Sequence, residues 1–189
     1  MDHIESHSAT FDTYILGNAP LRRLATGFTW VEGPVWMGDA DCLYFNDIPA
    51  NTMHSWSPSA GLQTYRTPSN HANGQTRDRS GRLITCEHGS RSVTRTEYDG
   101  RITTLASHYE GKRLNSPNDV VVASDGAIWF TDPHYGIVSN FEGFDAPQEL
   151  PCNVYRLKDG DLQAVITDFN CPNGIAFSPD EARLYIAET

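Results

Sequence analysis

Apolar and polar positions along this chain change places in short runs, and each run ends in a turn. In "DVVVASDGAIWFTD" a β-branched run meets the turn "SDG" and returns as a run with aromatics. That pattern predicts a β-hairpin. The same pattern recurs. "LNSPNDVVVASDGAIWFTD" begins at Leu114, and "FNCPNGIAFSPDEARLYIAE" repeats its order of Pro-Asn, apolar run, turn and second run. Two further copies are "WVEGPVWMGDADCLYFND", from Trp30 to Asp47, and "HANGQTRDRSGRLITCEH", from His71 to His88. Their first polar anchors are Glu32, Asn73, Asn118 and Asn173, spaced by 41, 45 and 55 residues.

Between the copies lie second hairpins with alternating polarity around a central Gly: "NTMHSWSPSAGLQTYRT", "RSVTRTEYDGRITTLAS" and "NVYRLKDGDLQAVITDF". Each period therefore holds four short antiparallel strands, and no segment carries a helical period of 3.6. Four strands per 40–50 residues is the repeat of a β-propeller blade. The repeats predict an all-β arc of about three and a half four-stranded blades. They form a single domain over 1–189 that reads as truncated at its C-terminus, where the fourth inner hairpin stops at "YIAET". "LRRLATGF" resembles the last strand of each interval and is expected to be an outer strand. "PHYGIVSNFEGFDAPQELP" stretches the longest interval and is expected to form a long loop on one face.

In a propeller the first strand of each blade lines the axis. A residue at the start of that strand sits at one mouth of the channel. Glu32, Asn73, Asn118 and Asn173 share this register, so their side-chain oxygens are expected to converge. Asparagine is a poor strand former, and an Asn-Gly pair by itself is an ordinary turn signal. Several polar anchors in one register, one of them a glutamate inside the apolar "WVEGPVW", point instead to hard oxygen ligands pooled on a cation such as Ca²⁺ or Mg²⁺. The second strands end at Asp47, Glu87-His88, Asp132 and Glu188, and these residues are expected to ring the same mouth. His88 there would hydrogen-bond a substrate or shuttle a proton. His134 and Tyr135, which open the long loop, are expected to overhang it. Arg77, Arg79 and Arg82 belong to the opposite edge.

Composition narrows the functions further. With 24 acids against 14 bases, the net charge of −10 argues against a nucleic-acid or anionic-membrane partner. Cys42, Cys86, Cys152 and Cys171 form no CxxC pair, so they read as buried reduced thiols and not as a zinc site. The acidic, polar "MDHIESHSATFD" has no apolar core of a signal peptide, and no apolar run approaches the length of a membrane span. The expectation is a soluble cytoplasmic protein.

The motifs "WVEGPVW", "SPNDVVVASDGAIWFTDP" and "CPNGIAFSPD", covering about residues 28–189, resemble the gluconolactonase family that includes regucalcin and luciferin-regenerating-enzyme-like proteins. "ANGQTRDRSGRLITCEHG" is similar to the bacterial sugar-lactonase branch in particular. The resemblance implies a six-bladed propeller with one divalent cation on its axis, Ca²⁺ in the first instance, with Mg²⁺, Mn²⁺ or Zn²⁺ as alternatives. It implies metal ligation by Glu32 and Asn173, with Asn118 contacting the metal or its bound substrate. The family's remaining ligand is an aspartate of a later "PDG"-type motif, often the proposed base, and no such motif follows Asn173 here. The implied reaction is hydrolysis of a sugar lactone. Asn118 would be the catalytic residue, Asn73, His88 and Asn118 would bind substrate, and Glu32, Asn118 and Asn173 would hold the metal. The rival readings are a non-catalytic metal-binding scaffold and a phosphotriesterase or arylesterase on the same metal. The 189-residue chain alone is expected to be inactive and to self-associate through its open strand edges.

Overall fold

The structure is a computed structural model that describes residues 4–16 and 21–189. Its only α-helix among those residues is the single turn α1, Ala9–Asp12, with the Ser8 hydroxyl accepting from the Thr10 N–H at 3.2 Å. Everything else of regular length is strand. The first sheet is β1 (Val31–Met37), β2 (Cys42–Asp47), β3 (Thr52–Ser57) and β4 (Gly61–Arg66). The second is β5 (Ala72–Arg77), β6 (Leu83–Glu87), β7 (Ser92–Thr96) and β8 (Ile102–Ala106). A two-strand hairpin, β9 (His108–Tyr109) and β10 (Lys112–Arg113), leads to the third sheet. This comprises β11 (Val120–Val122), β12 (Ile128–Asp132), β13 (Asn153–Lys158) and β14 (Asp161–Ile166). Last come β15 (Pro172–Phe177) and β16 (Leu184–Glu188), paired only with each other.

Each four-stranded sheet is a plain antiparallel meander in chain order. The sheets follow one another in a propeller-like arrangement, with the first strands β1, β5, β11 and β15 packed side by side. Three full sheets and a half sheet match the sequence period. One expectation is corrected. "LRRLATGF", residues 21–28, is not a strand. It joins no described sheet, and Phe28 docks edge-on to Phe45 and His54 at 5.1 and 5.0 Å.

The core lies between sheets. Ile84, Cys86, Val93, Val120, Phe130 and Tyr155 are buried between the second and third, with Phe130 stacked on Tyr155 at 5.3 Å. Met37, Met53, Ala72 and Leu83 fill the space between the first and second. A side chain of this size contributes about 1.5–3 kcal/mol when fully buried.

Two edges of the molecule are built differently. At the turn edge, ion pairs join hairpins of different sheets: Arg77 to Asp39 of the first sheet, and Arg79, past the third sheet, to Glu181 of the last hairpin at 3.0 Å. At the other edge the inner strands bulge. Register shifts fall between Glu32 and Val35, between Ala72 and Gln75, and between Pro172 and Ile175. Three of the four polar anchors therefore sit in or at a bulge, where an extra residue re-aims a side chain out of the ladder.

Candidate metal and substrate site

Two glycines let the bulged strands close on one another. Gly33, at φ +59°, lies where a Cβ would run into the Asn73 carbonyl oxygen, and a Cβ on Gly74 would run into the Asn118 carbonyl. The anchors' own carbonyls are held from the preceding sheet. Asn46 Nδ2 donates to Asn73 O at 2.6 Å, Gly74 N to Asn118 O at 2.7 Å and Thr131 Oγ1 to Asn173 O at 2.6 Å. With the main chain thus tied down, the anchor side chains line the space between strands.

That space has two chambers. One, of about 240 Å³, is lined by Glu32, Asn73, Asn118 and Asn173 together with residues that follow them, Gly33, Gly74, Gln75, Asp119 and Gly174. The other, of about 310 Å³, is lined by the same four anchors with Trp30, Ile48, Tyr135, Glu142 and Thr189. The anchors form the collar between an inner chamber and a mouth. The structure thus brings the four anchors together around one space. A separate hollow on the flank of the first sheet, lined by Leu24, Phe28, Val31, Leu43, Phe45 and Trp56, is apolar and reaches the anchors only at Glu32.

The amides at the collar are oriented by the protein. Asn73 Nδ2 lies 3.3 Å from His88 Nε2, and Asn173 Nδ2 donates to Thr189 Oγ1 at 3.2 Å. Each Oδ1 is left as the atom available to a ligand. One carboxylate and three amide oxygens are a hard donor set suited to Ca²⁺ or Mg²⁺. Among the described residues no three His, Cys, Asp or Glu side chains group closely enough to hold an ion by themselves, so the amides would have to complete the shell. The field also favours a cation. Burial pushes the Asp119 carboxyl up, against backbone N–H bonds from Ile175 and Val120 that pull it down, and the charge of Glu32 adds to the rise. Burial and then the charge of Glu32 likewise raise Glu142. A cation between these acids would relieve both.

The strand-end acids behave differently from the expectation that they ring the mouth. Asp47 accepts from Thr29 N at 2.9 Å and Trp30 N at 3.2 Å. Asp132 accepts from Asn115 N at 2.8 Å, and Glu188 from Asn170 N at 2.6 Å and Cys171 N at 3.1 Å. In the first sheet and the last hairpin one acid thus grips the two N–H groups three and two residues ahead of the anchor, and in the third sheet it grips the one three residues ahead. In the second sheet Glu87 is instead held by Arg66, Asn70, Ser90 and Thr94. These acids are clamps on the backbone. His88, also expected at the mouth, is fully buried behind Asn73 and lines neither chamber. His134 turns its Nδ1 to the Cys152 thiol at 3.4 Å. Tyr135 does reach the mouth, where its hydroxyl donates to the Thr189 carbonyl at 3.1 Å.

Sequence reasoning missed Glu142, Asp119 and Trp30. Asp119 stood out in principle, because it follows its anchor where Gly33, Gly74 and Gly174 follow theirs. Glu142 lies in the long loop outside any repeat register and had no signal.

The family model for the SMP-30/Gluconolactonase/LRE-like region matches residues 30–189. The chain belongs to this family. It is 33% identical over 201 residues to the gluconolactonase of Zymomonas mobilis, covering 98% of this chain and 56% of that protein. It is 42% identical to the solved gluconolactonase XC5397 of Xanthomonas campestris, at a TM-score of 0.82 over 86% of this chain and 55% of that one. The calcium-binding protein regucalcin of Agrobacterium tumefaciens shares the fold at a TM-score of 0.66, with 18% identity over 87% of this chain and 52% of that one. The chain spans little more than half the length of these relatives. Among the described residues no helix is long and apolar enough to cross a membrane.

Proposed function

We propose that this chain carries much of the binding site of a metal-dependent sugar lactonase, which opens an aldonolactone to the aldonic acid. The observation that carries the reading is the collar of Glu32, Asn73, Asn118 and Asn173 around one cavity in a member of the gluconolactonase family. Named gluconolactonases among its relatives support the reaction class, and the calcium-binding regucalcin supports the metal. Glu32, Asn118 and Asn173 would hold the cation, Ca²⁺ by the hardness of their oxygens. When bound it supplies Lewis-acid polarisation of the lactone carbonyl. Asn118, at the centre of the collar, orients the carbonyl-bearing end of the substrate. Asn73 reads a ring hydroxyl. At the mouth, Trp30 and Tyr135 offer apolar faces to a sugar ring, while Glu142 accepts hydrogen bonds from its hydroxyls.

We also read the arc as part of a six-bladed ring, because three and a half blades of six is close to the 56% share of the Zymomonas protein that it covers. The four free cysteines fit a reducing cytoplasm.

Glucono-1,5-lactone hydrolysis followed in a pH-stat tests the reaction. In the six-bladed ring that includes this chain, activity should vanish with a chelator and return with Ca²⁺. Activity indifferent to the chelator would overturn the metal reading. By calorimetry, Glu32→Gln should weaken Ca²⁺ binding at least tenfold, and unchanged affinity would remove Glu32 from the ligand set.

A further inference from the structure

His88 lines neither chamber of the site yet touches both the collar and the long loop. Its Nδ1 lies 3.0 Å from the backbone carbonyl of Glu142, and its Nε2 lies 3.3 Å from Asn73 Nδ2. A carbonyl oxygen only accepts, so Nδ1 carries the proton. Nε2 is then the acceptor, and only the Nδ2 end of the Asn73 amide can face it. The Oδ1 end is thereby turned to the cavity that Asn73 lines.

The ring has no freedom to choose otherwise. His88 is fully buried, and Gly136 approaches it so closely that a Cβ there would run into the imidazole. Gly143 is in turn packed on the carbonyl of Gly136, and Phe144 N donates to that same carbonyl at 3.0 Å. Phe144 stands edge-on to His71 at 5.1 Å. The stretch from Gly136 to Phe144 is thus stacked on the histidine. Burial also lowers the His88 pKa to about 4, so the ring stays neutral at physiological pH.

We infer that His88 is a positioning residue: the Glu142 carbonyl of the β12–β13 loop fixes its tautomer, and that tautomer fixes which end of the Asn73 amide meets the substrate. This rests on the lactonase reading of the cavity for its substrate, but the hydrogen-bond relay stands on geometry alone. It also means that the loop carrying Glu142 into the mouth sets the orientation of an amide across the collar.

Three variants, made in the six-bladed ring that includes this chain, separate the two contacts. His88→Gln keeps an acceptor near the Nε2 position and loses the donor to Glu142. His88→Asn keeps a donor near Nδ1 and loses the acceptor for Asn73. His88→Phe keeps the ring packing and loses both. With glucono-1,5-lactone, KM should rise about tenfold in His88→Asn and His88→Phe, the cost of one misdirected hydrogen bond. It should stay within about threefold of the parent in His88→Gln, with kcat little changed throughout. Equal KM values in His88→Gln and His88→Asn, or no change in either, would overturn the proposal. A nitrogen NMR spectrum of the histidine side chains should show His88 as the Nδ1–H tautomer at pH 7, and an Nε2–H or doubly protonated ring would also overturn it. If the six-bladed ring that includes this chain turns over no lactone, the functional reading fails by itself. The tautomer, and a shift of the Asn73 amide resonance in His88→Asn but not in His88→Gln, then still decide the role of His88.

Discussion

The Asp47 carboxylate accepts the backbone N–H of Trp30 at 3.2 Å, two residues ahead of Glu32. Its other oxygen takes the N–H of Thr29. The relation recurs from Asp132 to Asn115 and from Glu188 to Asn170. In every sheet but the second, the end of the second strand therefore fixes the backbone from which the collar residue of that same sheet projects. Asp47→Ala should cost about 1–3 kcal/mol by leaving two N–H groups without their charged acceptor. It should also loosen Glu32 and weaken Ca²⁺ binding. Denaturation and calorimetry on the same variant check both, and unchanged values for the two would mean that water replaces the clamp at no loss.

Asp132 gives the clamp a pH signature. Burial raises its pKa to about 7, against the backbone N–H groups of Asn115 and Ser116, which oppose the rise. A carboxyl with a raised folded pKa binds its proton more tightly in the native state. Its contribution is thus complete below about pH 4 and is lost as pH climbs through about 7. His88, lowered to about 4, works in the opposite sense, stabilising above about 6.5 and failing as pH falls. The difference between Asp132→Asn and the parent cancels the histidine. Measured by urea denaturation, that difference should move in favour of the variant by on the order of 2–4 kcal/mol between pH 4 and 7. A difference flat with pH would show that Asp132 ionises freely.

Gly74 packs directly on the backbone of the third sheet, where its N–H donates to the Asn118 carbonyl. Gly74→Ala should force the two inner strands apart. A loss of about 3 kcal/mol or more is expected from overpacking against backbone that has no rotamer to give, together with loss of Ca²⁺ affinity. Gly126→Ala, whose added Cβ meets open space but at φ +84°, should show only the smaller backbone strain of about 1 kcal/mol. A Gly74→Ala protein as stable as Gly126→Ala would refute the close packing of the collar.

The two flanks of the arc expose apolar groups: Val31 and Trp36 on the first sheet, Tyr185 on the last hairpin. The 189-residue chain should therefore associate in solution, which sedimentation velocity would detect as a mass rising with concentration. Trp36→Lys together with Tyr185→Lys should suppress the association. A parent chain that is monomeric at high concentration would show that these faces are not sticky.

What the sequence determined by itself is the part that repeats. Period-2 alternation and turn residues at a constant spacing specify hairpins, and a repeat register specifies which residue of each hairpin faces the axis. That sufficed for the sheets, for the half sheet at β15–β16, and for the four collar residues. It failed where a residue's role depends on what another sheet or loop brings to it. The strand-end acids look alike in sequence whether they face a ligand or a backbone N–H, and only the returning chain ahead of each anchor decided that they clamp. Residues 21–28 carry a strand-like pattern, but a strand exists only against a partner. His88 was placed at the mouth by its register. The loop of Gly136, Glu142 and Gly143, which has no register at all, covers it and takes its Nδ1, leaving Nε2 to Asn73. Local pattern fixes where side chains point; long-range packing fixes what they meet, and chemistry at a site depends on the second.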